Sequence, residues 1–505
     1  MKRFVSLLAA AVVVISIAAV SSGTDGYSKA ATPDGTVYSY ETYGSDYSTY
    51  KATIFHAESD ATVLYISTVL EGYNVTEIST NAFSGCTDTR AVVIPEKVGT
   101  IGAGAFSGCT SLKSVYFLGN APVISSNAFP SDVRFLCTEG SSGWAEYKTS
   151  YIEQCEADSD DGSAVTYYII ENEGMAAKGS PSPEGSVTIL PEIKGYPVTS
   201  VGPYSFSGRD NAAGTDVIPV SGIKTVLIPE GVEIIRERAF YYNTGLENIH
   251  LPQSLTAIMD EAFRAASRMG TVDMPDGIGY IGFESFRQCS SMEKIAIPDS
   301  TTFVGEGAFK ICSGADSITI GKGVSSIMPW TFAYCSSASD IELKGEVYDI
   351  GDSAFYMCGS LVSVVLPDTL ISIGSSAFFQ CTSLKKISLG NSLVSIGSSA
   401  FSECSVLNSV HIPETVASVS SRAFSYCTEM TDIYFAGIMP EFGNSVFLNT
   451  DVMVHCTRAN SDSWDGFDGR IAADSYGGLT EIAIFAVVLF AVVIIGAVFV
   501  RYYTK

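Results

Sequence analysis

Apolar residues in this chain recur in a compound pattern that is neither helical nor simply alternating. In residues 384–404 they fall at Leu384, Ile387, Leu389, Leu393, Ile396, Ala400, Phe401 and Cys404, with Lys, Ser, Gly, Asn and Glu between. Ile387 and Leu389 lie two apart and so share one face of a short strand. Leu393 and Ile396 give a second inward pair. Ala400, Phe401 and Cys404 then close the unit with a small, a large and a thiol side chain. The same unit returns with its Phe at Phe83, Phe106 and Phe129, and again at Phe206, Phe240, Phe263, Phe286, Phe309, Phe332, Phe355, Phe378, Phe401, Phe424 and Phe447. From Phe240 onward every step is 23 residues, and the 34-residue step from Phe206 to Phe240 is one period plus an eleven-residue insertion around Arg209 to Ser221.

A unit this short cannot bury its apolar face alone, so consecutive units must stack and share one continuous core. The pattern predicts a β-rich repeat solenoid with strands about 4.8 Å apart. Proline after the first strand (Pro229, Pro252, Pro367, Pro413) lacks an N–H and limits that strand's length. Glycine at Gly102, Gly282, Gly305, Gly351, Gly374 and Gly397 reads as a turn residue chosen for backbone freedom.

The repeats divide into two arrays, each with its own start and end. Gly72 to Ile78 matches Gly195 to Val201, and each stretch follows β-rich sequence, Val37 to Leu70 and Val165 to Leu190. Those segments are expected to cap the first coil. Cys137 with Trp144, and Cys456 with Trp464, sit in atypical last units that would hide the final apolar face. The expected organisation is a first capped array at 32–150, an acidic linker at 151–164 and a second capped array at 165–475.

The termini suggest where the chain resides. Lys2 and Arg3 precede an uncharged apolar run to Val20, and small residues follow, so 1–23 reads as a secretory signal. Residues 482–500 are an uncharged run of Ile, Ala, Phe, Val, Leu and Gly, long enough for one transmembrane helix. Arg501 and Lys505 follow it, which places 501–505 in the cytoplasm and the body outside the cell.

Composition narrows the classes of function. The net charge of -25 over 505 residues argues against nucleic acid as a partner, since phosphates need a basic stripe. Four histidines leave little for a metal or acid–base centre, and no nucleophile elbow, phosphate loop or zinc-protease helix occurs. No cofactor or metal is expected. Nine of the twelve cysteines share one repeat position, from Cys86 and Cys109 to Cys289 through Cys427. Stacking brings neighbours within disulfide range, but Asn243 and Ala266 replace the thiol without a matching loss, which favours a ladder of buried thiols acting as small hydrophobes. A bridge between Cys137 and Cys155 is an open alternative for that pair.

The consensus Leu-x-x-Ile-x-Leu-Pro-x-x-Leu-x-x-Ile-Gly-x-x-Ala-Phe-x-x-Cys resembles the BspA-like leucine-rich repeats of secreted microbial surface proteins, over roughly 70–475 apart from the junction near 146–180. The fold class expected is therefore two tandem leucine-rich-repeat arrays with β caps and one C-terminal transmembrane helix. The resemblance implies cell-surface display with adhesion or ligand binding, and brings no catalytic residues.

For recognition, the varied outward position of the first strand is the candidate. It holds His250, Asp273, Thr319, Glu342, Ser388, His411 and Tyr434, interleaved with Leu227, Ala296 and Val365. If the strand alternates, these side chains form one mixed row on the sheet face. Trp330 reads equally as an anchor or a packing residue. Asn74, in a cap turn, opens the sole N-glycosylation sequon. The function expected is a single-pass surface protein binding an extracellular protein or glycan; the alternative is a coat or spacer protein without a specific ligand.

Overall fold

The computed structural model describes residues 28–43, 51–210, 217–465, 467 and 469–474. The signal at 1–23 and the anchor at 482–500 lie outside the described residues. Among the described residues, no helix is long and apolar enough to cross a membrane.

Each 23-residue unit is one coil carrying two short parallel strands and a hydrogen-bonded turn. The first strands stack in register, as where Ser363–Val365 pairs with Lys386–Ser388. The second strands, only two residues long, form a parallel sheet of six from Ser326–Ile327 to Glu441–Phe442. In each array the inward residues make one continuous core, and at its centre the phenylalanines stack face to face. Phe355 and Phe378 are 5.2 Å apart, and Phe378 and Phe401 5.3 Å, with rings within 14° of parallel. The insertion after Phe206 does not break this stack, since Phe206 and Phe240 are still 5.3 Å apart. The inserted residues leave the coil as a small antiparallel ribbon, Arg209–Asp210 against Val217–Ile218.

The repeat cysteines are free, buried thiols, and they do more than fill volume. Cys381 Sγ donates to the Phe355 carbonyl at 3.3 Å and Cys404 Sγ to that of Phe378 at 3.1 Å. The same carbonyl position is capped by Asn243 Nδ2 on Phe206 O at 3.0 Å and by Thr450 Oγ1 on Phe424 O at 2.8 Å. In most coils the row therefore takes a small buried donor, which is why Asn and Thr appear in it, while Ala266 only fills volume. Burial pushes the thiols of Cys358 and Cys427 up to about 12, so they stay protonated as donors. Cys381→Ala should cost about 1–2 kcal/mol, because the Phe355 carbonyl loses one of two donors, the Cys358 N–H at 3.2 Å remaining, and a small void opens. Cys381→Thr should cost less in the same urea titration. Equal losses for the two would mean that volume, not hydrogen bonding, sets the residue. Cys137 and Cys155 lie in the cores of different arrays and are not bridged.

The repeat glycines hold their place for a different reason from the one expected. None of Gly102, Gly282, Gly305, Gly351, Gly374 or Gly397 has a left-handed φ. A Cβ on Gly374 would lie 2.6 Å from Asp352 N, and one on Gly397 would lie 2.5 Å from Gly374 C. The coils approach too closely there for any side chain. The left-handed residues are others, two per coil, such as Ser376 and Gln380, both at φ 56°. Their N–H groups donate to Ser398 O and Ser402 O of the next coil at 2.8 and 2.9 Å, so inter-coil bonding offsets the strain.

Both arrays end as the sequence indicates: Trp144 packs on Phe117 at 4.7 Å and Trp464 on Phe435 at 4.9 Å. The segment between them is not a linker. Residues 153–158 form a strand paired antiparallel with Ala164–Ile170. Asp161 ties the turn, accepting from Ser163 and Thr188. The acidic run is thus the first hairpin of the second array's cap, where its carboxylates face solvent or turn donors.

The two arrays also pack against each other. In the first array, strands Ala91–Ile94 and Ser114–Phe117 are buried on both faces. Val92, Ile94, Val115 and Phe117 enter their own core, while Ala91, Val93 and Tyr116 join Ile152, just before the cap hairpin, and Ile170 and Met175 of the second cap. Tyr116 donates to Glu171 at 3.0 Å, and the Arg236 guanidinium lies 3.4 Å from the centre of the Tyr65 ring. Beside this apolar contact runs a buried ion network. Glu261 is held by Arg238 and Arg264, Arg264 also meets Glu284 at 2.9 Å, and Arg287 meets Glu284 at 2.6 Å. Arg238 reaches across to Asn74 Oδ1 at 2.7 Å and the Gly72 carbonyl at 3.4 Å.

Asp260 completes the contact by accepting from the Phe283 N–H at 2.9 Å and the Glu71 N–H at 3.3 Å. Burial, with Glu237 and Glu71 nearby, pushes its carboxyl well above the usual range despite those donors. A raised folded pKa means the folded state binds the extra proton. Asp260's contribution is therefore fully present in mild acid and is lost as pH rises. Asp260→Asn should gain stability relative to the parent as pH goes from about 4 to 7. A difference in thermal midpoint that does not change with pH would refute this.

Candidate binding surface

The first-strand row lies where alternation puts it. Inward, Ile295, Ile318, Ile341, Val364, Ile387, Val410 and Ile433 are buried. Outward, His250, Asp273, Glu342, Ser388 and His411 are exposed, and Thr319 and Tyr434 are half-buried. The ladder sets neighbours side by side: Leu227 with His250, Ala296 with Thr319, Thr319 with Glu342, Val365 with Ser388, and His411 with Tyr434. A second outward row, Lys294, Ser317, Asp340, Ser363, Lys386, Ser409 and Asp432, runs parallel to it two positions earlier. Val365 is 70 % exposed, an aliphatic group standing open among polar neighbours.

At the C-terminal end the row becomes an aromatic stack. The His411 and Tyr434 rings are 4.6 Å apart and nearly parallel, and Tyr434 and His455 are 4.4 Å apart. His455 Nε2 is 2.7 Å from Asp432 Oδ1 of the second row. The Thr431 hydroxyl and His455 hold the Asp432 carboxyl below the usual carboxylate range. His455 escapes a count by 23 because the last coil is two residues short, and the ladder pairs it directly with Tyr434. The signal was the strand pattern around Val454 and Cys456, not the period.

The other candidates sit elsewhere. Trp330 is on the turn face, away from the row, with the Lys310 ammonium 3.9 Å from its ring centre and Tyr356 5.6 Å away. Asn74 is not in an open turn: it lies half-buried in strand Tyr73–Ile78, and its Oδ1 accepts from Arg238 and, at 3.3 Å, from Tyr204. A glycan on Asn74 would have to occupy the contact between the arrays. Among the described residues, no three His, Cys, Asp or Glu side chains gather as a metal site.

The coil geometry and its repeat unit have a counterpart among known families. A model described as BspA type leucine rich repeat region matches in six copies, over residues 64–138, 220–339, 267–364 and 348–460, more than half of the chain. This chain belongs to the BspA-type leucine-rich-repeat family. Solved structures similar to this chain include a leucine-rich repeat protein from Bacteroides ovatus, 20% identical, covering 65% of this chain and 100% of its own, with a TM-score of 0.30. A leucine rich cell surface protein from Faecalibacterium prausnitzii is 20% identical over 90% of this chain and 100% of its own, at 0.30. The pneumococcal vaccine antigen PcpA is 17% identical over 64% of this chain and 99% of its own, at 0.36. At these TM-scores the likenesses add nothing to the family assignment. No curated protein matches the chain.

Proposed function

We propose that this chain is a single-pass cell-surface protein that binds an extracellular protein or glycan through the open sheet face of its second array. The observation that carries the reading is the contrast between the two faces. In the first array the equivalent outward positions, Val93 and Tyr116, are buried against the second cap. In the second array the row remains exposed and chemically mixed, and it ends in the His411–Tyr434–His455 stack. The edges of this aromatic stack beside a carboxylate suit either a sugar or a peptide, and aromatic anchors dominate such interfaces. A secretory signal at 1–23 and an anchor at 482–500 would present this face outside the cell.

The test is binding of the purified full chain, in detergent, to immobilised extracellular-matrix proteins and a glycan panel. His411→Ala, Tyr434→Ala and His455→Ala together should weaken the strongest interaction by about tenfold or more, roughly the loss of one aromatic anchor. Unchanged binding with an intact fold would remove the row as the site. Absence of binding on every surface, with self-association in ultracentrifugation, would favour the coat or spacer reading instead.

A further inference from the structure

Between its Phe and its Cys, each coil places two residues on the turn face. Ser402 and Ser425 show that the coil closes with a small polar residue at the first of them. Three coils in the middle of the second array differ. There Tyr334, Tyr356, Met357 and Phe379 hold these positions and are half-buried. The Tyr356 ring is 5.4 Å from that of Tyr334 and 5.0 Å from that of Phe379. The second position is left-handed, with φ 63° at Tyr334 and 57° at Met357, where Gly or Asn would be less strained. The coil therefore does not require these apolar residues, and a contiguous apolar patch of this kind marks an interaction surface. A charge of each sign flanks it. Two coils before Tyr356 is Lys310, its ammonium 3.9 Å from the centre of the Trp330 ring. Two coils after Met357 is Glu403, whose Oε2 accepts from Gln380 at 2.6 Å.

We infer that this turn face pairs with the same face of a second copy of the chain, the arrays running antiparallel about a two-fold axis between Tyr356 and Met357. A two-fold contact is self-complementary, so each position before the axis meets one equally far beyond it. With a period of 23, that axis sets Tyr334 opposite Phe379 of the second copy and Lys310 opposite its Glu403, each pair occurring twice. One coil further out it sets Arg287 opposite Tyr426, which is 44 % exposed. Aromatic and apolar groups thus meet at the centre and unlike charges at the rim, as in other protein interfaces. Moving the axis one coil either way would set Lys310 against Asn449 or Met357 instead. Trp330 holds the Lys310 ammonium in place, and the second copy's carboxylate supplies an acceptor that a ring face does not. A carboxylate accepts several donors, so Gln380 does not exhaust Glu403. From Arg287 to Tyr426 the strip is six coils long, about 29 Å, which places it among the smaller interfaces with an affinity near micromolar. Such a contact closes at two copies and builds a dimer, not a coat.

The experiment is sedimentation of the full chain in detergent, from about 1 to 100 μM. The mass should rise with concentration and stop at two copies. Lys310→Glu and Glu403→Lys should each weaken the dimer about tenfold or more, since each sets like charges together twice. The two changes combined should restore the affinity to within about threefold of the parent. Thermal midpoints check the fold of each variant. Met357→Cys leaves both charges in place and gives a second readout. Beside the axis, the new thiol should cross-link to its counterpart through a short bismaleimide, while Ser388→Cys on the sheet face should not. The native thiols are buried, so the background is low. A monomer throughout the range, growth beyond two copies, undiminished dimerisation in the single charge variants, no rescue in the double variant, or equal cross-linking in the Ser388→Cys chain would each overturn the inference.

Discussion

Glu261→Gln should lower the unfolding free energy by about 3–5 kcal/mol, the scale for breaking a buried ion pair from one side. Glu261 is fully buried and bonds Arg238 and Arg264, whose side chains are 8 % and 6 % exposed. Removing its charge takes from Arg238 the carboxylate it bonds and leaves Arg264 to Glu284, which Arg287 also uses, and Arg238 also bridges to the first array. Burial pushes the Glu261 carboxyl up, but the two arginines outweigh this and hold it below the usual range. Its contribution is therefore present above the unfolded value near 4.5 and is lost as pH falls through the folded one. The gap between parent and variant in denaturant titrations should accordingly close in acid. Replacing Arg238 and Glu261 together by methionine should restore part of the loss, because no charge is then left alone. A single-variant loss under about 1 kcal/mol would show that the network contributes no more than a surface pair.

Phe378→Ala should cost about 3–5 kcal/mol, the range for emptying a large aromatic site in a packed core. Phe378 is fully buried between Phe355 and Phe401, and the rigid coils on each side limit collapse into the void. In a solenoid each coil is stabilised only by its neighbours, so the lesion is local. Amide exchange should rise first around residues 355–401, and the array should begin to unfold as two parts, flattening the denaturation curve. Phe378→Leu, which keeps most of the volume, should cost about 1–2 kcal/mol. A uniform rise in exchange across both arrays would instead mean that the whole body unfolds as one unit.

Much of this architecture is legible in the residues. The period of 23, the two inward pairs and the Ala-Phe-x-x-Cys turn dictate stacked coils, because each position has one role in every unit. Period-two alternation sufficed to place His250 through Tyr434 on the outer face. His455 was missed because a coil shortened by two residues breaks a count, although it does not break a ladder. The glycines were located but their cause was not, since close approach of neighbouring coils has no local signature and left-handed φ does. The thiols were recognised as buried, but their hydrogen bonds depend on a carbonyl 26 residues earlier in the chain.

The sequence by itself determined the coil, its period, its two capped arrays and the outward row, because those follow from apolar burial repeated at short range. Only the tertiary structure decided that the acidic run at 153–163 is a capping hairpin and that the first array's outer face is an internal contact. It also decided that Arg238, Glu261, Arg264 and Glu284 share one buried network and that Asn74 faces a cleft. The physical reason is distance along the chain. The partners in that contact lie far apart, 55 residues for Tyr116 and Glu171 and 164 for Asn74 and Arg238, and no periodic pattern links a residue of one array to a residue of the other.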